Sequence, residues 1–399
     1  MEVIKWQCTS GNRSESNMAL ALDRDTGELQ QEYSNWHERA IPAYDAKGEP
    51  NYLDEEGNII EGIYLDMPND VYHSLPALSS SKLKDFIKSP ALYYRNYLSS
   101  VDRKRTQAQK NTFDAGTHGH TLVLEPQGYY QKFFRDMVQS DLPEAMTTAI
   151  EIEETLVRLG LPKSGNKQQK IERLIDFVEQ KAPSLDPNNP QHAQQIEIAR
   201  NVRIFEVERQ RYLDSFGPAE EGMWEGGPVT TYGGKVPVDS IVWDDAHRVM
   251  KTTRDHEEAN QYFQYGLPEV AIFAMCPLTG MMLKVKFDWL RFDDVAVDMK
   301  TTASVKPEKF RRQIEDLRYD IQQEFYKYVA RLQDIPVEEF VFVATEYVQM
   351  DACQPFRLSE KRSKKAFSLM MSKLPELEEC KKTNRWYGYV KQDCTMLLD

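Results

Sequence analysis

The residues whose types and spacing best suit chemistry lie in one segment, KVKFDWLRFDDVAVDMK, running from Lys284 to Lys300. Asp298 and Lys300 alternate along an apolar run. In an extended strand they share one side, while Met299 turns into the core. Asp288 lies on the preceding apolar run, across a turn short enough to make the two strands neighbours. Two carboxylates on adjacent strands can converge on one hard cation, and magnesium favours a few carboxylate oxygens completed by water and phosphate. Such an ion lowers the pKa of a bound water and steadies charge on a leaving oxygen. Lys300 would orient the attacking water and offset charge in the transition state, a contribution of roughly 3 kcal/mol for a well-placed donor. The chemistry this set suits is metal-assisted hydrolysis of a phosphate ester.

An acidic residue two before a lysine is a weak signal alone, and it recurs at Asp45-Ala-Lys47, Glu179-Gln-Lys181 and Glu379-Cys-Lys381. Surface pairing accounts for those. It accounts poorly for Asp288, Asp298 and Lys300, because charges facing a sheet interior are costly unless paired or metal-bound.

The surrounding elements must hold this set in place. VAIFAMCP and LKVKFDWLRF read as strands around a Pro-Leu-Thr-Gly turn, VAVDMK as a third strand, PEKFRRQIEDLRYDIQQEFYKYVARL as one long amphipathic helix, and EEFVFVATEYVQM as a further strand rich in β-branched and aromatic residues. That order predicts an α/β fold, a central mixed sheet flanked by helices. Upstream, Leu83, Phe86 and Ile87 fall at helical spacing after a serine cap, and Pro90 restarts a second short helix. FDAGTHGHTLVLEP reads as a glycine-containing turn entering a short apolar run, and GMWEGGPVTTYGG as a linker.

The expected organisation is a polar appendage over 1–60, the first part of the core over 61–140, a helical insertion over 141–215, and the catalytic core over 216–399. Within the insertion, about 146–182 resembles a SAP motif, a small DNA-binding helical hairpin. Its core would be Leu156, Leu159, Leu161, Ile171, Leu174 and Ile175, with Lys163, Lys167 and Lys170 near phosphates. A plain helical hairpin with charged faces is the alternative.

The net charge of −13 points away from a protein that coats nucleic acid by bulk attraction. Local positive charge is still available at Arg103-Lys104-Arg105, Lys306 to Arg312, and Lys361 to Lys365, each of which also reads as a solvated surface run. The five cysteines are scattered with no CxxC pair, which argues against a zinc ribbon, a disulfide framework or an iron–sulfur cluster. No apolar run reaches the roughly 20 residues that cross a bilayer, and the first residues lack a secretion-signal core, so the cytoplasm of a bacterium or phage-infected host is the expected compartment.

FDWLRFDDVAVDMKTT followed by LRYDIQQEFY resembles the core of the phage-type exodeoxyribonuclease VIII (RecE-like) family within the PD-(D/E)xK, or restriction-endonuclease-like, superfamily. GIYLDMPNDVYHS, LSSSKLKDFIKSPALYY and GTHGHTLVLEP resemble that family's upstream segments, in the same order, so the likeness covers 62–138 and about 225–370. Gln322 and Tyr326 have the QxxxY spacing of related recombination nucleases, and four residues apart they share a helix face. The resemblance implies a magnesium-dependent exonuclease, with manganese as the substitute ion, that degrades linear double-stranded DNA from its ends, 5′ to 3′ and processively, leaving single-stranded tails for recombination. It implies that His120 is a metal ligand or water organiser, with His118 competing for the role and turn-capping as the bland alternative. Glu269 would be a carboxylate at or beside the metal, or else a surface charge. Thr301 and Thr302 would bind a phosphate or brace the strand, and Tyr319 reads as a core tyrosine with some claim on the site. A ring-like, tetrameric homo-oligomer and a partner that anneals single strands are further implications; a membrane is not. The rivals are an endonuclease or repair nuclease on branched or nicked DNA, and a DNA-end binding protein without catalysis.

Overall fold

The computed structural model describes residues 33–99, 116–224 and 227–390 in full, and 20–22, 29–31 and 107–115 by their backbone. The chain divides into two compact units, residues 1–104 with 252–399, and residues 105–251. The expected boundaries at 140 and 216 thus fall inside the second unit.

The first unit is built on a seven-stranded mixed sheet. Its strands in chain order are β1 (Ile41–Pro42), β2 (Gly62–Leu65), β3 (Gly266–Met275), β4 (Met282–Arg291), β5 (Ala296–Thr302), β6 (Phe340–Glu346) and β7 (Ala352–Phe356), and they lie in the order β7-β6-β5-β4-β3-β2-β1. β3 and β4 form the expected hairpin, with Gly280 at φ 67° in its turn, a conformation cheap only for glycine. β5 and β6 are parallel. A parallel pair needs a long crossover, supplied here by α3 (Pro307–Leu317) and α4 (Tyr319–Leu332). Every residue of β6 is buried, as a central strand covered on both faces requires.

α1 (Ser80–Lys88), α2 (Pro90–Tyr97), α4 and α5 (Glu360–Thr383) complete the core with Leu83, Phe86, Phe325, Val329, Met370 and Leu374 packed against Val270, Ile272, Val285 and Phe342. Ser79 caps α1 by accepting from the Lys82 amide, and Pro90 opens α2, as expected.

Two expectations for this unit change. The single long helix is two, because Arg318 takes left-handed dihedrals (φ 52°, ψ 49°) and its guanidinium bonds to Asp320 at 2.9 Å. The appendage is packed in from residue 33 onward: Trp36 is fully buried and its indole nitrogen donates to the Arg291 carbonyl at 2.9 Å. A tryptophan surrounded by polar residues carries no periodicity to reveal its burial.

In the second unit, helices Ala149–Arg158 and Lys167–Asp176 form the expected hairpin, each with a capping box at Thr148 or Asn166. Leu156, Leu159, Ile171 and Leu174 are buried in its core, with Leu161 and Ile175 at the margin. GTHGH is not a turn: it lies inside the helix Gln107–Leu124. A β-carbon at Gly119 would stand 3.1 Å from the Val249 side chain, so that glycine serves close packing. The expected linker is an antiparallel hairpin, Ala219–Trp224 with Gly227–Tyr232.

Candidate active site

The register of the sheet sets three carboxylates at one level. β4 pairs Phe287 with Val270 and Trp289 with Pro268, so Asp288 stands opposite Glu269. Trp289 pairs with Val297 as the last step of the β4–β5 ladder, and Asp288 and Asp298 are the next residues of the two strands beyond it. One oxygen of Glu269 and one of Asp288 lie within 4.8 Å of each other. Glu269 holds a φ of 54°, unfavourable for a residue with a β-carbon, and such strain persists where the surroundings over-determine it. The β4–β5 ladder ends here, and Asp288 closes it by accepting from the Met299 amide at 2.7 Å.

Asp298 is 1% exposed. It forms an ion pair with Lys300 and accepts from the Gln322 amide nitrogen at 2.6 Å. Thus β5 supplies the alternating Asp298 and Lys300, and α4 supplies Gln322. Met299 is buried on the other side of the strand, as expected. Burial disfavours the Lys300 ammonium, but the charges of Asp298 and Asp288 outweigh it and hold this amine above the usual lysine range. Tyr326, one turn after Gln322, has its phenol pushed well up by burial, by Tyr72, and by the charges of Asp298, Asp288 and Glu269. Its ring packs edge-on against Phe287 at 5.0 Å. The break at Arg318 begins a new helix at Tyr319, whose ring lies beneath the Lys300 ammonium at 5.0 Å.

Thr302 braces the strand end: its hydroxyl donates to Gln313 at 2.7 Å and accepts from the Ser304 amide. Thr301 is half-buried on the opposite side of β5. His118 and His120 both belong to the second unit. His118 is buried against Tyr129, Phe133 and Trp224, and its Nδ1 shares a hydrogen bond with the Tyr129 hydroxyl at 3.1 Å. Burial lowers its pKa to about 4. It is a core histidine. His120 is half-buried on the same helix. Lys170 is 7% exposed and paired with Glu153, and Lys167 pairs with Glu206. Of the three, only Lys163 is exposed.

Three residues of the site escape the sequence reading. Lys286, two before Asp288, bridges Glu269 at 2.6 Å and donates to the Met67 carbonyl and the Asn69 side chain. Strand alternation could have flagged it. Tyr72, its phenol raised by burial and the Glu269 charge, and Lys84 on α1 come from distant segments and carry no local signal. The Lys84 ammonium shares the Tyr319 ring with Lys300, at 5.8 Å.

The donor set fits a hard divalent cation. Glu269, Asp288 and Asp298 offer carboxylate oxygens and no sulfur, and the Glu269 and Asp288 oxygens, within 4.8 Å of each other, repel unless a cation joins them. Those three residues would hold the ion.

The family comparison agrees with this architecture. Residues 205–396 match the family model described as a PDDEXK-like domain of unknown function (DUF3799), a span that includes Glu269, Asp288, Asp298, Lys300, Gln322 and Tyr326. No curated protein matches the chain. Among solved structures, a candidate exonuclease from Eubacterium rectale is similar at 14% identity, over 65% of this chain and 91% of that one, with a TM-score of 0.32. The fold is that of the PD-(D/E)xK class, a central mixed sheet flanked by helices.

Proposed function

We propose that the chain is a magnesium-dependent nuclease that hydrolyses linear double-stranded DNA from its ends. The observation that carries the reading is the level row of Glu269, Asp288 and Asp298, with Lys300 paired to Asp298. A bound divalent ion would supply an acidified water and charge neutralisation at the phosphate. The protein's own groups do the rest. Gln322 fixes the Asp298 carboxylate through its 2.6 Å hydrogen bond. Lys300, kept protonated by its two aspartates, remains a donor toward the reacting phosphate. Lys286 holds Glu269 in place from the neighbouring strand. Strand polarity of 5′ to 3′, processivity, a tetrameric ring and an annealing partner extend the proposal, supported by the family resemblance alone.

End-labelled linear duplex, incubated with and without magnesium, tests the reading. The parent protein should shorten the label only with metal, and Asp298→Ala should lose the activity while keeping its circular-dichroism spectrum. Equal digestion by Asp298→Ala would remove the site assignment. Covalently closed circular duplex should survive; its cleavage would replace the exonuclease with an endonuclease.

A further inference from the structure

The basic run from Lys361 to Lys365, noted in the sequence, is not used by the carboxylate row. In the first unit it lines a cleft of about 530 Å³. Its lining includes Arg318 and Asp320, Glu315 of α3, and Lys361, Arg362 and Lys365 of α5. Arg318 is neutralised by Asp320 at 2.9 Å and Arg362 by Glu315 at 2.7 Å. Among the described residues, neither Lys361 nor Lys365 has a carboxylate within ion-pair distance. They stand four apart, on one face of α5. Lys364, between them, turns to Glu360 and does not line the cleft. The cleft is therefore cationic in a chain of net charge −13, a local concentration that bulk composition opposes.

Its position relates it to the site. Arg318 and Asp320 flank Tyr319, the ring beneath Lys300 and Lys84. Arg318 keeps a left-handed backbone, unfavourable for a residue with a β-carbon. That strain both ends α3 and sets this guanidinium in the cleft wall.

We propose that the cleft lined by Arg318, Lys361, Arg362 and Lys365 is a phosphate-binding subsite for the nucleic-acid strand engaged at the carboxylate row. The inference rests on the nuclease reading above. A phosphate matches the two lysines as point charges and the arginines as planar donors. A strand lying from Lys300 across Tyr319 would bring a phosphate to this cleft, either the terminal one or one within the backbone.

The test measures binding of a fluorescein-labelled duplex with a short single-stranded tail to the full chain, by anisotropy in EDTA across a potassium chloride series. The double variant Lys361→Glu/Lys365→Glu should bind at least about tenfold more weakly at moderate salt. Its slope of log affinity against log salt should flatten by about 0.7 to 0.9 per lost phosphate contact. Lys364→Glu, on the same helix but outside the cleft, should stay within twofold of the parent. Equal weakening by Lys364→Glu would reduce the effect to long-range charge and overturn the subsite, as would unchanged affinity and slope in the double variant. Substrates with and without a 5′ phosphate separate the two sources: loss confined to the phosphorylated one assigns the terminal phosphate, and equal loss assigns the backbone. If the parent digests linear duplex with magnesium yet the double variant binds normally, the subsite fails and the nuclease stands. If the parent neither binds nor digests DNA, the nuclease reading itself has failed.

Discussion

Two regions of this protein use lysine and carboxylate side chains in opposite ways. On the helical hairpin of the second unit, pairing is one to one, Lys170 with Glu153 and Lys167 with Glu206. On the sheet of the first unit, Glu269, Asp288 and Asp298 stand level on three neighbouring strands, with Lys286 and Lys300 woven among them. Each hairpin pair stands by itself, whereas Glu269 and Asp298, although paired with Lys286 and Lys300, stand beside a third carboxylate, Asp288. Converging carboxylates repel, and they persist where something positive repeatedly joins them. The two lysine motifs look alike as sequence, yet only the second gathers several carboxylates at one place, which is why the proposed function is placed there.

The largest effect that could break this comparison is at Asp288. Asp288→Asn should lower kcat by about 10²- to 10³-fold, the usual loss when one group aimed at the transition state is removed. Magnesium should raise the Tm of the parent, and Asp288→Asn should abolish that rise, since a ligand stabilises only the state that binds it. Lys170→Ala should retain both. A magnesium-dependent Tm shift that survives in Asp288→Asn would show that the row does not hold the ion.

The second unit offers the next largest effect, through a group whose burial suppresses charge. His118 is neutral in its aromatic surroundings, with its pKa lowered from 6.5 to about 4 by desolvation. The unfolded chain therefore takes up a proton that the folded one refuses. The associated stability is fully present above pH 6.5, falls as pH drops toward 4, and is level below that. Over this window it amounts to about 3 kcal/mol. Urea unfolding at pH 7 and pH 5 should show a smaller acid loss in His118→Gln than in the parent. Identical losses would mean that His118 is not the group responsible.

A smaller effect is expected for Lys170→Ala, about 1 kcal/mol of stability by chemical denaturation. The buried amine is lost, but Glu153, its side chain 36% exposed, can be rehydrated. A loss of several kcal/mol would mean the pair is far more deeply committed to the core than its exposure indicates.

Much of the first unit was legible in the sequence because its signals are local. Alternation of Asp298, Met299 and Lys300 gave the strand and its sidedness, the Pro-Leu-Thr-Gly turn gave the β3–β4 hairpin, and the four-residue spacing gave Gln322 and Tyr326 one helix face. What was missed depends on partners far away in the chain. GTHGH reads as a turn by composition, yet packing against Val249 makes glycine useful within a helix. Arg318 carries no breaker residue, and the left-handed backbone is imposed by the two helices it separates. The strained backbone of Glu269 is likewise a consequence of the sheet register.

Lys84 sharpens the comparison at its finest scale, because it is a lysine at the site without a carboxylate within ion-pair distance among the described residues. Burial, and then the charge of Lys300, depress its pKa to about 8, while Asp298, Asp85 and Asp320 act in the opposite sense. Holding an ammonium there costs the metal-free protein stability, and an arriving phosphate would recover part of that cost. Lys84→Met should therefore raise KM for duplex DNA several-fold with kcat little changed, since the group binds the substrate and transition-state phosphate alike. Lys84→Arg should restore most of the affinity, as arginine keeps the charge. If Lys84→Met lowers kcat and leaves KM alone, Lys84 acts on the reacting phosphate itself and belongs with Lys300. If neither constant moves, its placement over Tyr319 is packing, and it belongs with the lysines of the helical hairpin.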